Sequence, residues 1–153
     1  MPVPDLATEN GLALSGQWRR LVGKWASRHH RPFEADTTSV TLDFDHPQAQ
    51  RDIRLTFTTT SNGLLLLLVT DDRYLADDQI ALAAAAANAW NIERLVPMLA
   101  VCNLGGTHPP YLTGIRTLPL ACGLTQSAFH TMADQWLEDA RGLFSWCHEE
   151  FRL

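Results

Sequence analysis

Hydrophobic and polar positions alternate along this chain with two different periods. Trp18, Leu21, Val22 and Trp25 recur at i, i+3, i+4 and i+7, which predicts one apolar helix face over about Gly16–Arg28. Ser15 is the expected N-cap, and Pro32 the expected stop. The period then drops to two. Val40, Leu42 and Phe44 alternate with Thr41 and Asp43; after a loop at His46–Arg51, Ile53, Leu55 and Phe57 alternate with Arg54 and Thr56. Each segment reads as a strand with one buried face. Ser61-Asn62-Gly63 predicts a hairpin turn, since Asn and Gly tolerate positive φ. The run Leu64–Val69 then forms a third strand, apolar on both sides, so both of its faces are expected to be covered.

The alanine-rich segment Ala76–Asn91 favours a second helix. Asp71, Asp72, Asp77 and Asp78 are placed at its start, where carboxylates suit the helix dipole. Leu95–Cys102 reads as a fourth strand, Gly105–Pro110 as a loop and Tyr111–Leu120 as a fifth strand. Thr125 caps a last helix over about Gln126–Glu149. Its apolar stripe is Phe129, Met132, Ala133, Trp136, Leu137, Ala140, Leu143 and Phe144. The predicted order is α-β-β-β-α-β-β-α. That is an α+β fold, one antiparallel twisted sheet packed with helices.

Length and composition narrow the classes. A chain of 153 residues fits one domain, expected over 15–153 behind a flexible N-terminus at 1–14. Net charge is −5 and the basic residues form no dense cluster, which argues against a nucleic-acid partner. No apolar run approaches the ~18–20 residues of a membrane span, so no membrane partner is expected. The N-terminus lacks the basic and apolar regions of a signal peptide. Three cysteines, Cys102, Cys122 and Cys147, form no disulfide framework, which fits a reducing cytoplasm.

A search for reactive groupings returns structural readings. No Gly-x-Ser-x-Gly elbow is present, and no cysteine sits in a local nucleophile signature. Cys102 and Cys122 read as buried structural thiols. His29-His30 and Cys147-His148 are sequence neighbours and do not share a helix face. No Cys-x-x-Cys or His-x-x-x-His exists to hold zinc. The aspartates do not follow a calcium loop, and Gly105-Gly106 lacks the Lys-Ser/Thr of a phosphate loop. No metal, cofactor or catalytic residue is expected, and the chain is read as not an enzyme.

Trp18, Trp25 and Trp136 lie on apolar faces and belong to the expected core. Trp90 sits at a helix end between Asn88 and Asn91, which are three apart and share a face. The asparagines either satisfy backbone groups where helix meets strand, or the segment forms an interaction surface using Trp90.

The segment Ala87-Asn88-Ala89-Trp90-Asn91 resembles the Asn-x-x-Asn helix end of the YbjN family, also labelled bacterial sensory transduction regulators. Leu95-Val96-Pro97-Met98 resembles that family's next strand, with Pro97 near its start; Met98 stands where the family often carries a basic residue. Leu118–Thr125 resembles the lead into its last helix. The resemblance spans roughly residues 15–150 in element order. It implies a fold like that of type III secretion chaperones, which are small, acidic, usually dimeric and bind extended segments of other proteins. Asn88, Trp90, Asn91 and Pro97 become the candidate interaction residues.

The resulting expectation is a cytoplasmic protein-binding or chaperone-like regulatory module. It would be a homodimer that docks another protein on a sheet edge or apolar groove. The alternative is a small-ligand sensor with a pocket between sheet and helices.

Overall fold

The computed structural model describes residues 13–46, 51–103 and 106–153. Most of the N-terminal stretch expected to be flexible therefore lies outside the described residues, as do Gly105 and the middle of the His46–Arg51 loop. The elements are α1 (Trp18–Arg28), β1 (Phe33–Ala35), β2 (Ser39–His46), β3 (Arg51–Thr59), β4 (Leu64–Thr70), α2 (Ile80–Glu93), β5 (Met98–Cys102), β6 (Tyr111–Pro119) and α3 (Gln126–Phe151). The fold is α+β: one six-stranded antiparallel sheet in the order β1-β2-β3-β4-β6-β5, with three helices.

The strict alternations of β2 and β3 do what their period requires. Val40, Leu42 and Phe44 pair across from Phe57, Leu55 and Ile53, and all six are buried. Gly63 supplies the positive φ of +82° that the β3–β4 turn needs. α1 and α3 cover the buried face. Trp25 stacks near Phe44 and Phe57, and Phe129 of α3 lies against Phe57. Gly114 on β6 leaves room for Leu143: a Cβ there would come within 2.9 Å of the Leu143 side chain. Thr125 caps α3 as expected, its hydroxyl accepting from the Ala128 N–H at 3.1 Å.

Several boundaries differ from expectation. β1 is an additional edge strand, too short to carry an alternation. α1 is preceded by a 3-10 turn at Leu14–Gly16, and Gln17, not Ser15, stands at its N-cap position. The cause is Leu14, fully buried in the core. Its N–H donates to Cys122 O at 2.9 Å, while Ser15 N–H donates to Leu120 O, so the chain enters the helix already pinned. α1 ends at Arg28 before Pro32 is reached: His30 turns left-handed (φ 53°), and Arg31 N–H closes on Ala26 O. Only Asp77 and Asp78 lie in the turn that leads into α2. Asp71 instead follows β4 and pairs with Arg51 at 3.3 Å, its pKa raised by burial against the opposing pull of Arg51. β5 starts at Met98 because Leu95 is left-handed (φ 64°), a conformation outside any strand.

Candidate functional site

β4 is the element whose environment departs most from its sequence. Leu65, Leu67 and Val69 are buried among the helices, while Leu64, Leu66, Leu68 and Thr70 on the other side are half-exposed. The expectation that both faces are covered is corrected: among the described residues every helix lies with the buried face, and the second face stays open. Pairing registers define that open face. Leu68 lies opposite Ile115, and Ile115 opposite Met98, giving an apolar row across β4, β6 and β5. On its other side Leu68 faces Thr56, which faces Thr41, which faces Glu34. The face is thus apolar over one half and polar over the other.

Met98, the last residue of the row, directly follows the α2–β5 junction in the chain. Ile92 and Leu95 are each 71% exposed, Val96 55% and Met98 49%. Four large apolar side chains left in water within seven residues contribute little to folding. Exposed apolar groups gathered in one place mark an interaction surface more often than scattered ones do.

Of the four residues singled out from the sequence, Trp90, Asn91 and Pro97 sit behind this surface and hold its shape, and Asn88 does not. Trp90 is 6% exposed, stacks on Trp146 with centroids 5.2 Å apart, and donates its indole N–H to Pro97 O at 2.8 Å. Its burial removes the ring from the surface, so it does not supply the contact. Pro97 is buried beneath the junction. Asn91 clasps the backbone of Leu99 from both sides: Nδ2 donates to Leu99 O at 2.9 Å, and Oδ1 accepts from Leu99 N–H at 2.8 Å. Asn88 is exposed on the outer side of α2.

The Asn91 clasp bears on how a partner could approach. In an antiparallel ladder the N–H and C=O of one residue point to the same side. Both Leu99 groups therefore turn away from β6, toward the outer edge of the sheet, where Asn91 takes them. β5 is an edge strand whose hydrogen-bonding edge is occupied at Leu99, near its start, by its own helix.

Titratable groups elsewhere are absorbed by the core. Asp134 of α3 accepts from the Trp25 indole at 2.9 Å and contacts His29 Nε2 at 2.7 Å, joining α1 to α3. Burial works against its charge, but the Trp25 and His29 bonds prevail and hold its carboxyl below the usual range. Cys147 is the buried thiol, pushed up to about 12 by desolvation. Cys102 and Cys122, expected as buried structural thiols, are half-buried, and Cys122 packs against the core. Among the described residues no group of three His, Cys, Asp or Glu side chains is placed to hold a metal ion, and no helix is long and apolar enough to cross a membrane.

Alternation in β4 contained the signal for the open face. It was masked because leucine occupies both phases. Ile115 and Met98 carried no signal until register aligned them.

No family model and no curated protein matches the chain. Its fold is similar to that in the crystal structure of YbjN from E. coli, a protein described there as a proposed transcription regulator. The TM-score is 0.70, with 13% identity over 91% of this chain and 96% of that one. At this identity the likeness is one of fold, and the α+β architecture is common to both.

Proposed function

We propose that this chain is a non-enzymatic, chaperone-like regulatory module that binds another protein on the apolar half of its open sheet face. The observation that carries the reading is the uncovered row Leu68–Ile115–Met98, continued by Val96, Leu95 and Ile92. The sheet part of the row, Leu68–Ile115–Met98, is bordered by threonines and holds no charge, while Glu93 and Arg94 are exposed between Ile92 and Leu95, so the site suits an amphipathic segment that presents an apolar stripe. The clasp of Asn91 on Leu99 favours approach onto the face over strand addition at the β5 edge. The fold likeness to a proposed transcription regulator supports a regulatory setting.

The test compares tagged full-length chain purified from its native cells as wild type, as Met98→Glu and as Glu34→Lys, the last a control on the polar half. Circular dichroism first checks that all three are folded. A charge forced into an apolar contact should reduce the recovered companion by about ten-fold or more in Met98→Glu, with no loss in Glu34→Lys. Light scattering identifies self-association: a dimer split by Met98→Glu makes the companion a second copy, the homodimer form of the same proposal. Companions recovered equally from all three proteins, with no change in mass, would overturn it.

A further inference from the structure

The open face carries a second feature, a cavity of about 290 Å³ at the end of β5 remote from Met98. Its floor comes from alternate residues of three strands: Thr56, Leu68 with Thr70, and Thr113. Its walls come from two segments that no periodic pattern describes. The first follows β4, where Asp72 is left-handed (φ 61°) and sends the chain back across the sheet. Leu75 anchors this segment, buried and donating its N–H to Pro110 O at 2.7 Å, and Tyr74 bridges to Tyr111. The second wall is formed by Asn103 and His108 of the β5–β6 connection.

The strap from Asp71 to Leu75 is pinned at both ends, by the Arg51–Asp71 pair and by the Leu75–Pro110 bond. The cavity is therefore formed before any ligand arrives. It lies on the open face, away from the space between sheet and helices where a ligand pocket was expected.

Its chemistry is specific. Tyr74 is an exposed aromatic whose ring meets Tyr111 edge-to-face at 6.3 Å, so two aromatic rings stand together in the lining. Two guanidinium groups line the space. That of Arg54 is held in a fork by Asp43, at 2.9 and 3.2 Å, and is already neutralised. Arg73 makes no ion pair among the described residues. The Asp72 carboxylate also lines the cavity, and Arg73 acts on Asp71 through space, so Arg73 is free of a direct ion pair but not of neighbouring negative charge; its planar fork can still hold one carboxylate with two parallel bonds. A phosphate group would call for more donors, such as a helix N-terminus, and none lines the cavity. Burial pushes the Tyr111 phenol up, so it remains a hydrogen-bond donor at neutral pH. The volume lies near the lower limit of ordinary ligand sites, ~300 Å³, and admits only a small molecule.

We propose that this cavity binds a small aromatic carboxylate, its ring on Tyr74 and Tyr111 and its carboxylate on Arg73. The cavity shares Leu68 with the protein-binding row, but the proposal rests on Arg73, Tyr74 and Tyr111 and not on that reading. The test is a titration of the full, nitrogen-15-labelled chain with 4-hydroxybenzoate, followed by amide shifts. The expected result is saturable movement at Arg73, Tyr74, Asn103 and Tyr111 with Kd below about 1 mM. Replacing the ligand by uncharged 4-hydroxybenzyl alcohol, or the protein by Arg73→Gln, should each weaken binding by about ten-fold or more. Absence of saturable shifts up to about 10 mM, or a Kd that neither change moves, would overturn the proposal.

Discussion

Asn88 and Asn91 have the same chemistry, lie on the same helix and sit one turn apart, yet substitution by alanine should move stability in opposite directions. Asn91 makes two hydrogen bonds to the Leu99 backbone, at 2.9 and 2.8 Å. At ~1 kcal/mol net for each, their loss removes about 2 kcal/mol. Alanine recovers part of this as helix propensity, up to roughly 0.6 kcal/mol. The net change at Asn91 is a loss of about 1.5 kcal/mol, since Leu99 keeps its place but two of its backbone groups go unpaired. Asn88 is exposed, so only the propensity gain remains, a rise of about 0.5 kcal/mol. At roughly 2–4 °C per kcal/mol, Asn91→Ala lowers Tm by about 3–6 °C and Asn88→Ala raises it by about 1–2 °C. Urea unfolding followed by both circular dichroism and tryptophan fluorescence gives the free energies, and an unchanged m-value confirms two-state comparison. The reasoning is refuted by an Asn91→Ala loss under about 0.5 kcal/mol, or by an equal loss at Asn88.

Two further predictions concern the first anchor of the chain and the turn between β1 and β2. Leu14→Ala empties a fully buried site and should destabilise by about 3 kcal/mol in the same unfolding assay; a change near zero would mean that Leu14 is not a core residue. Asp36 accepts from the backbone N–H groups of Thr38 and then Ser39, and from their hydroxyls, which lowers its pKa from 3.8 to about 2. Its folded pKa lies below the unfolded one, so the unfolded chain binds more protons between these values, and stability falls as pH drops through them. Asp36→Asn should flatten the acid limb of Tm against pH in that window, and an unaltered limb would assign it to other carboxylates.

Legibility followed the physics of each element. β2 and β3 have one polar and one apolar phase, so period alone told which side is buried. α3 is long enough for its stripe to be unmistakable, and its cap was visible in Thr125. α2 was harder: alanine nearly all round the helix leaves no contrast between faces, so the packing of Ala83, Ala86, Ala87 and Trp90 had to be seen. β1 has three residues and no alternation. The spacing of Asn88 and Asn91 suggested a shared role, but one turn of helix separates a backbone clasp from open solvent. The cavity was illegible because its walls are Asp72–Tyr74 together with Asn103 and His108. Their positions depend on a left-handed residue and on contacts between segments far apart in sequence.

The two phases of β4 have a consequence for how this protein can change over generations. Leu65, Leu67 and Val69 are constrained by the packed interior, whereas Leu66 and Leu68 project from the opposite side of the same backbone. Mutational tolerance along residues 64–70 should rise and fall with every step, for two unrelated reasons. One set of positions is held by the need to fold and the other, on the proposed function, by the need to meet a partner. The second set can drift, gain charge or acquire a new specificity while the first keeps the architecture intact, so one strand can conserve a fold and diversify its recognition at the same time.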